Sequence, residues 1–126
     1  MLYWILAAMA VYLVGVFLPS LPLIGQIGLK DYLGSRDADP APGKFRARAQ
    51  RATRNMQETL QVFLALAVLS MVVPGSDAAQ ALLGAQIYVL ARAAYLPLYL
   101  AGIPVLRSAA FIVGLAGMLI LALAMV

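Results

Sequence analysis

The 126-residue sequence contains no cysteine and no histidine. Without cysteine the chain can form no disulfide, no thiolate metal site and no cysteine nucleophile, and without histidine it lacks the usual metal ligand and the usual general base. The chemistry left to the chain is that of arginine, carboxylate, tyrosine and serine side chains. We therefore expect no metal site.

Charged residues are also scarce. They make up 11% of the chain against 64% hydrophobic residues, and the mean hydropathy of +0.94 lies far outside the usual range of soluble domains. The charge-free runs approach the length of about 20 apolar residues that a membrane-spanning helix needs. The sequence predicts an all-α integral membrane protein, a single domain over residues 1–126 that forms a four-transmembrane-helix bundle, with helices at about 2–23, 45–73, 78–100 and 105–126.

Turn-forming residues separate the predicted helices. Asp77 is placed to cap the third helix, and Pro97 is expected to kink it because proline removes an intrahelical hydrogen bond. The breaks between helices are predicted at Pro19 and Pro22, at Pro74 and Gly75, and at Gly102 and Pro104.

The positive charge of the chain is concentrated beside the membrane. A net charge of +4 and a pI near 9.8 could indicate nucleic acid binding, but the basic residues crowd into one connecting segment, which the positive-inside rule explains better. The loop at 24–44 is therefore predicted to be cytoplasmic, both termini outside, and nucleic acid not a partner. The crowded residues are Lys30, Arg36, Lys44, Arg46 and Arg48, of which the last three are expected to snorkel to lipid headgroups.

The first half of the second helix carries a polar stripe. At 100° per residue, Arg48, Arg51, Asn55 and Glu58 share a face about 80° wide, with Arg54 at its edge. An ionisable side chain at membrane depth costs about 2.5 to 3.5 kcal/mol and normally faces a partner or a cavity. The stripe is therefore a candidate functional site.

Two further polar groups fall at the same membrane depth. Arg92, Tyr95 and Tyr99 are spaced i, i+3 and i+7 on the third helix, and Arg107 and Ser108 begin the fourth on the cytoplasmic side. Simpler explanations stay open at this point. Arg92 and Glu58 could form a structural ion pair, and Arg107 could anchor its helix at the headgroups.

These residues resemble a known family. The run Arg48-Ala-Gln-Arg51-Ala-Thr-Arg54-Asn55-Met-Gln-Glu58 is similar to the second-helix signature of the MAPEG proteins, the membrane-associated proteins in eicosanoid and glutathione metabolism. The segment Arg92-Ala-Ala-Tyr95-Leu-Pro-Leu-Tyr99 and the later Arg107-Ser108 resemble the third helix of that family and the start of its fourth. Thr59 departs from the tyrosine of the leukotriene C synthase branch.

The resemblance implies a homotrimer with glutathione held between neighbouring subunits. Arg107 is then expected to be catalytic, because its counterpart in the family stabilises the thiolate. Glutathione carries two carboxylates and one ammonium, which suits a site with several arginines and one carboxylate. The predicted glutathione-binding residues are Arg51, Arg54, Asn55, Glu58, Arg92, Tyr95, Tyr99 and Ser108.

The function predicted from this resemblance is a glutathione transferase or peroxidase in the lipid bilayer of a bacterial inner membrane. Its co-substrate would be glutathione and its second substrate a lipophilic electrophile. Two other interpretations stay open. One is a non-catalytic scaffold or accessory subunit of a larger membrane complex, and the other, ranked lower, is a small transporter.

Overall fold

A computed structural model describes residues 1–35, 37 and 39–126. Arg36, one of the basic residues of the predicted cytoplasmic loop, lies outside this range. Over the described residues the chain is all-helical and contains no strand. Its five helices are α1 (Leu2–Phe17), α2 (Ser20–Tyr32), α3 (Lys44–Val72), α4 (Ala78–Ala101) and α5 (Pro104–Leu123).

Three of these helices are long and apolar enough to cross a membrane, namely α3, α4 and α5. They occupy the segments predicted for the second, third and fourth helices. The fourth candidate span is a bent pair, α1 with α2, which meet at 54°. In the described part of the chain there are therefore three candidate spans, or four if the bent pair crosses as one.

The bend between α1 and α2 follows from Pro19. Proline has no N–H, so it cannot continue the hydrogen-bond ladder by donating to the carbonyl of Gly15, four residues earlier. The freed Gly15 oxygen instead accepts a hydrogen bond from the Thr53 hydroxyl of α3 at 2.6 Å. The proline thus breaks the predicted 2–23 helix. It also leaves the Gly15 carbonyl free to accept the hydrogen bond that connects this bend to α3.

The start of the predicted 24–44 loop is helical, which the sequence pattern did not predict. Helix α2 continues to Tyr32, with one non-helical residue at Gly28, where φ is +79°. The Tyr32 hydroxyl donates to Ser20 Oγ at 2.9 Å across this irregular turn, and Leu23 is 1% exposed. The packing of Leu23 near the bend between α1 and α2 and the hydrogen bond of Tyr32 stabilise α2.

Helices α4 and α5 form a closely packed antiparallel hairpin. A Cβ added to Gly84 would lie 2.6 Å from the Leu121 nitrogen, and one added to Gly117 would lie 2.7 Å from the Tyr88 nitrogen. The two glycines therefore let the backbones approach within a distance that no side chain would allow. Such small-residue contacts are how helices pack closely in membranes.

Both ends of this hairpin are capped. Asp77 Oδ1 accepts from the backbone N–H groups of Ala79 at 2.9 Å and Gln80 at 3.0 Å, which confirms the predicted cap of α4. At the other end Gly102 takes the left-handed conformation that ends α4, with φ at +75°. Pro104 begins α5, where its missing N–H costs nothing.

Two arginines expected at the headgroups bind protein groups instead. Arg48 donates to the Leu100 carbonyl at 3.0 Å, where the negative end of the α4 dipole favours a cation. Arg46 is buried and pairs with Asp39 at 3.2 Å, and it also donates to the Pro40 carbonyl at 3.0 Å. Arg46 thus holds the segment before α3 against the bundle, and Arg48 joins α3 to the last turn of α4.

The glycine contact between α4 and α5 makes a prediction about stability. Gly84→Ala forces a methyl group against backbone atoms, so it should lower the free energy of unfolding by about 1 to 3 kcal/mol. Gly114→Ala is the matched control, because its Cβ would meet the Ala91 methyl at an ordinary 3.7 Å. Thermal unfolding in detergent, followed by circular dichroism, should show a loss for Gly84→Ala alone. Equal unfolding temperatures for the two variants would contradict the close approach.

Candidate functional site

A cleft of about 320 Å³ lies where α3, α4 and α5 meet. The Gly102 turn places the last turn of α4 beside the first turn of α5, and Asn55 completes the wall from α3. Five of the nine predicted site residues therefore share one cavity. Its lining consists of Asn55, Tyr95, Tyr99, Arg107, Ser108, Phe111 and Ile112.

Arg107 lies over the ring of Tyr99. Its guanidinium carbon is 4.5 Å from the ring centroid, a cation–π distance. The side chain makes no hydrogen bond or ion pair with any residue that the structure describes. The contact with Tyr99 fixes the guanidinium at the cleft while its N–H groups stay available to an anion.

The other cleft side chains are held by their neighbours. Tyr95 is 7% exposed, and its ring packs 5.5 Å from that of Tyr99 and 6.4 Å from that of Phe111. The Ser108 hydroxyl donates to the Pro104 carbonyl one turn earlier, at 2.9 Å. Since that bond uses its only proton, Ser108 can offer a ligand an acceptor but no donor.

Arg92 is buried next to the cleft, with 1% of its surface exposed. It donates to Asn55 Oδ1 at 2.9 Å and to the Thr59 hydroxyl. Its guanidinium carbon also lies 5.1 Å from the ring centroid of Phe111 and 5.2 Å from that of Tyr95. The cation is thus stabilised by neutral oxygens and aromatic faces.

This arrangement rules out the structural ion pair between Arg92 and Glu58. The two terminal nitrogens of Arg92 face Asn55 and Thr59, and its Nε is buried with no hydrogen-bond partner. Gly114 lies beside this Nε, since a Cβ added to the glycine would be 3.9 Å from it. No carboxylate pairs with Arg92 in the described part of the chain.

Two residues of this network were missed from the sequence as site residues. Thr59 lies one turn after Asn55 on α3, and Tyr88 lies one turn before Arg92 on α4. Their hydroxyl oxygens are 3.1 Å apart. Their positions at i+4 and i−4 from predicted site residues were the available signal, but neutral hydroxyl groups in apolar helices do not stand out as charges do.

Three predicted site residues lie away from the cleft in the single chain. Arg51, Arg54 and Glu58 are exposed, and their side chains make no hydrogen bond or ion pair among the described residues. Arg54 lines a different, open cleft of about 500 Å³ between α3 and the bend that joins α1 to α2. Tyr12 and Ser20 also line this cleft. Within one subunit, α3 therefore presents its polar residues to two sides.

The Thr59 hydroxyl should be important for stability. Thr59→Val keeps the shape of the side chain but leaves Arg92 and Tyr88 without their partner, so it should lower the free energy of unfolding by about 1 to 3 kcal/mol. Thr59→Ser keeps the hydroxyl and serves as the control. Thermal unfolding in detergent measures both. A valine variant as stable as the serine variant would show that the hydroxyl contributes nothing.

Comparison with known protein families finds a match over the whole chain. The model of the MAPEG family matches residues 1–126, the whole chain. No curated protein and no solved structure matches this sequence. Since the family match covers every residue, including both helices that carry the polar stripes, the chain belongs to the MAPEG family.

Proposed function

We propose that this protein is a membrane-bound glutathione transferase or peroxidase that acts on lipophilic electrophiles. The MAPEG family includes glutathione transferases and peroxidases as well as other members, and its members generally use glutathione. The observation that carries the proposal is Arg107, whose guanidinium rests on Tyr99 at the cleft and makes no hydrogen bond or ion pair among the described residues.

The charges around α3 suit glutathione. Arginine binds carboxylates through a planar fork of N–H donors, and a carboxylate binds an ammonium. Arg51 and Arg54 would bind the two carboxylates of glutathione, and Glu58 its ammonium. All three side chains are exposed and make no hydrogen bond or ion pair among the described residues, so they are available for this role.

The exposed charges also favour assembly. Helix α3 is a candidate membrane span, and a charge facing lipid costs about 2.5 to 3.5 kcal/mol. A second subunit packed against α3 would cover Arg51, Arg54 and Glu58 and enclose a polar cleft. A head-to-tail interface of this kind forms a ring of three when the rotation between subunits is 120°, which is the homotrimer that the family resemblance implies. The Arg54 side of one subunit would then face the Arg107 cleft of its neighbour.

The same assembly suggests how the reaction proceeds. A guanidinium beside the glutathione sulfur lowers the pKa of the thiol, so the thiol releases its proton to water and the thiolate is held without a general base. The sulfur then bonds to the electrophilic carbon as the leaving group departs with its electron pair. Ile112 lines the cleft and is 64% exposed on α5, so a lipophilic substrate would reach the sulfur from the bilayer.

We place the protein in a bacterial inner membrane, with the 24–44 segment cytoplasmic and both termini outside. The basic residues of that segment support this orientation. Glutathione, a soluble peptide, would then enter from the cytoplasmic side, where Arg107 lies in the first turn of α5.

Glu58→Gln should weaken glutathione binding. The change keeps the size of the side chain and removes the charge opposite the ammonium, so we expect a loss of roughly 1.5 to 3 kcal/mol in binding free energy. Asp31→Asn is the matched control, since it removes an exposed carboxylate on α2, away from the cleft. Titration calorimetry in detergent measures both. If Glu58→Gln binds glutathione as tightly as the parent, Glu58 does not hold the ammonium.

Arg107→Lys tests the thiolate and separates an enzyme from a scaffold. Lysine keeps the charge and would serve equally as a headgroup anchor, but it lacks the planar fork. We expect the variant to assemble and to retain most of its glutathione affinity. It should lose the ultraviolet absorbance of bound thiolate near neutral pH and at least about tenfold in turnover, which is about 1.4 kcal/mol in the barrier.

The parent protein is the reference for this experiment. If it binds glutathione but shows no thiolate absorbance and neither conjugates an aromatic halide nor reduces a lipid peroxide, the non-catalytic scaffold becomes the better explanation. If Arg107→Lys turns over like the parent, Arg107 is only an anchor for α5.

A further inference from the structure

Arg92 donates a hydrogen bond to Asn55, a residue that lines the cleft. We propose that Arg92 is a positioning residue that holds the Asn55 amide with its N–H donors toward the ligand, so that Asn55 binds a ligand oxygen and rejects a donor. The inference rests on the proposed function, because the ligand it concerns is glutathione.

The first step concerns the orientation of the amide. Arginine has only donors, so the Asn55 atom that faces Arg92 at 2.9 Å must be the oxygen. The amide nitrogen then points elsewhere, and it makes no hydrogen bond with any residue in the described ranges. Asn55 lines the cleft. Its two N–H groups are therefore free for the oxygen of a carboxylate or a carbonyl group.

The second step concerns the rigidity of Arg92. Its other terminal nitrogen donates to Thr59. The Thr59 hydroxyl can accept from both Arg92 and Tyr88 while its own proton goes to the Met56 carbonyl, 3.2 Å away. The donor and both acceptor positions of the Thr59 hydroxyl are then occupied. A rotation of the Arg92 side chain would break its bond to Thr59, so the guanidinium is held in one orientation.

The third step follows the network into the core. The ring of Tyr88 stacks on that of Phe63 with centroids 4.3 Å apart and an interplanar angle of 12°, and both side chains are 0% exposed. A series of hydrogen bonds thus connects the buried Tyr88 through Thr59 and Arg92 to Asn55 at the cleft. With 1% of its surface exposed, Arg92 acts on the ligand through Asn55.

A double-mutant cycle tests this dependence. Asn55→Ala and Arg92→Met should each weaken the binding of reduced glutathione to the detergent-solubilised protein by about tenfold. The double variant should also lose about tenfold, because two residues that act as one unit are not additive. Arg92→Lys keeps a donor for the Asn55 oxygen and should restore most of the affinity.

Arg51→Ala with Arg92→Met is the control cycle. Among the described residues Arg51 makes no hydrogen bond with Asn55, Arg92 or Thr59, so these two losses should multiply. Should Arg92→Met fail to assemble, the cycle of Asn55→Ala with Thr59→Val replaces it, since Thr59 holds Arg92 in place, and the same lack of additivity is expected.

Two results would overturn the proposal. Multiplied losses for Asn55→Ala and Arg92→Met would mean that Arg92 acts independently of Asn55. An Arg92→Met variant with lower thermal stability and unchanged affinity would mean that the network only supports packing. Failure of the proposed function is visible separately, because the parent protein would then bind no glutathione, and the role of Arg92 would fall with it.

Discussion

The structure depends on the stabilisation of one cation, Arg92, inside a bundle of membrane helices. A buried charge is tolerated only with hydrogen bonds and polarisable neighbours. Here α3 provides the oxygens of Asn55 and Thr59, and α4 and α5 provide aromatic rings. Three helices are thereby fixed relative to one another at the depth where the cleft lies. The same contact that stabilises the bundle sets the position of a cleft side chain.

The charged side chains on the outer surface of the bundle have no such stabilisation. Arg51, Arg54 and Glu58 are exposed on α3, while the more apolar α5 is exposed along much of its length. In a bilayer the apolar surface can face lipid, but the charged surface cannot without cost. The proposed trimer and the proposed glutathione site would both lower this cost. A neighbouring subunit would cover the charged side chains, and the bound anionic peptide would neutralise them.

The sequence predicted the parts of this structure that depend on local chemistry. The Asp77 cap, the Gly102 turn and Pro104 at the start of α5 follow from residue type alone. The helical spacing of Tyr95 and Tyr99 predicts that they share a face of α4, and in the structure both line the cleft. Contacts between distant residues were not predictable in this way. Arg46 binds Asp39, and Arg48 binds the Leu100 carbonyl. Thr59 forms hydrogen bonds with both Tyr88 and Arg92. These partners come together only when the helices pack.

Native mass spectrometry of the detergent-solubilised protein, with and without reduced glutathione, tests most directly whether the charged face of α3 is an intersubunit glutathione site. Trimers are expected in both samples, with up to one glutathione per subunit in the second. The combination of Arg51→Ala, Arg54→Ala and Glu58→Gln should remove the bound glutathione. A stable monomer, or a trimer that takes up no glutathione, would contradict the proposed site.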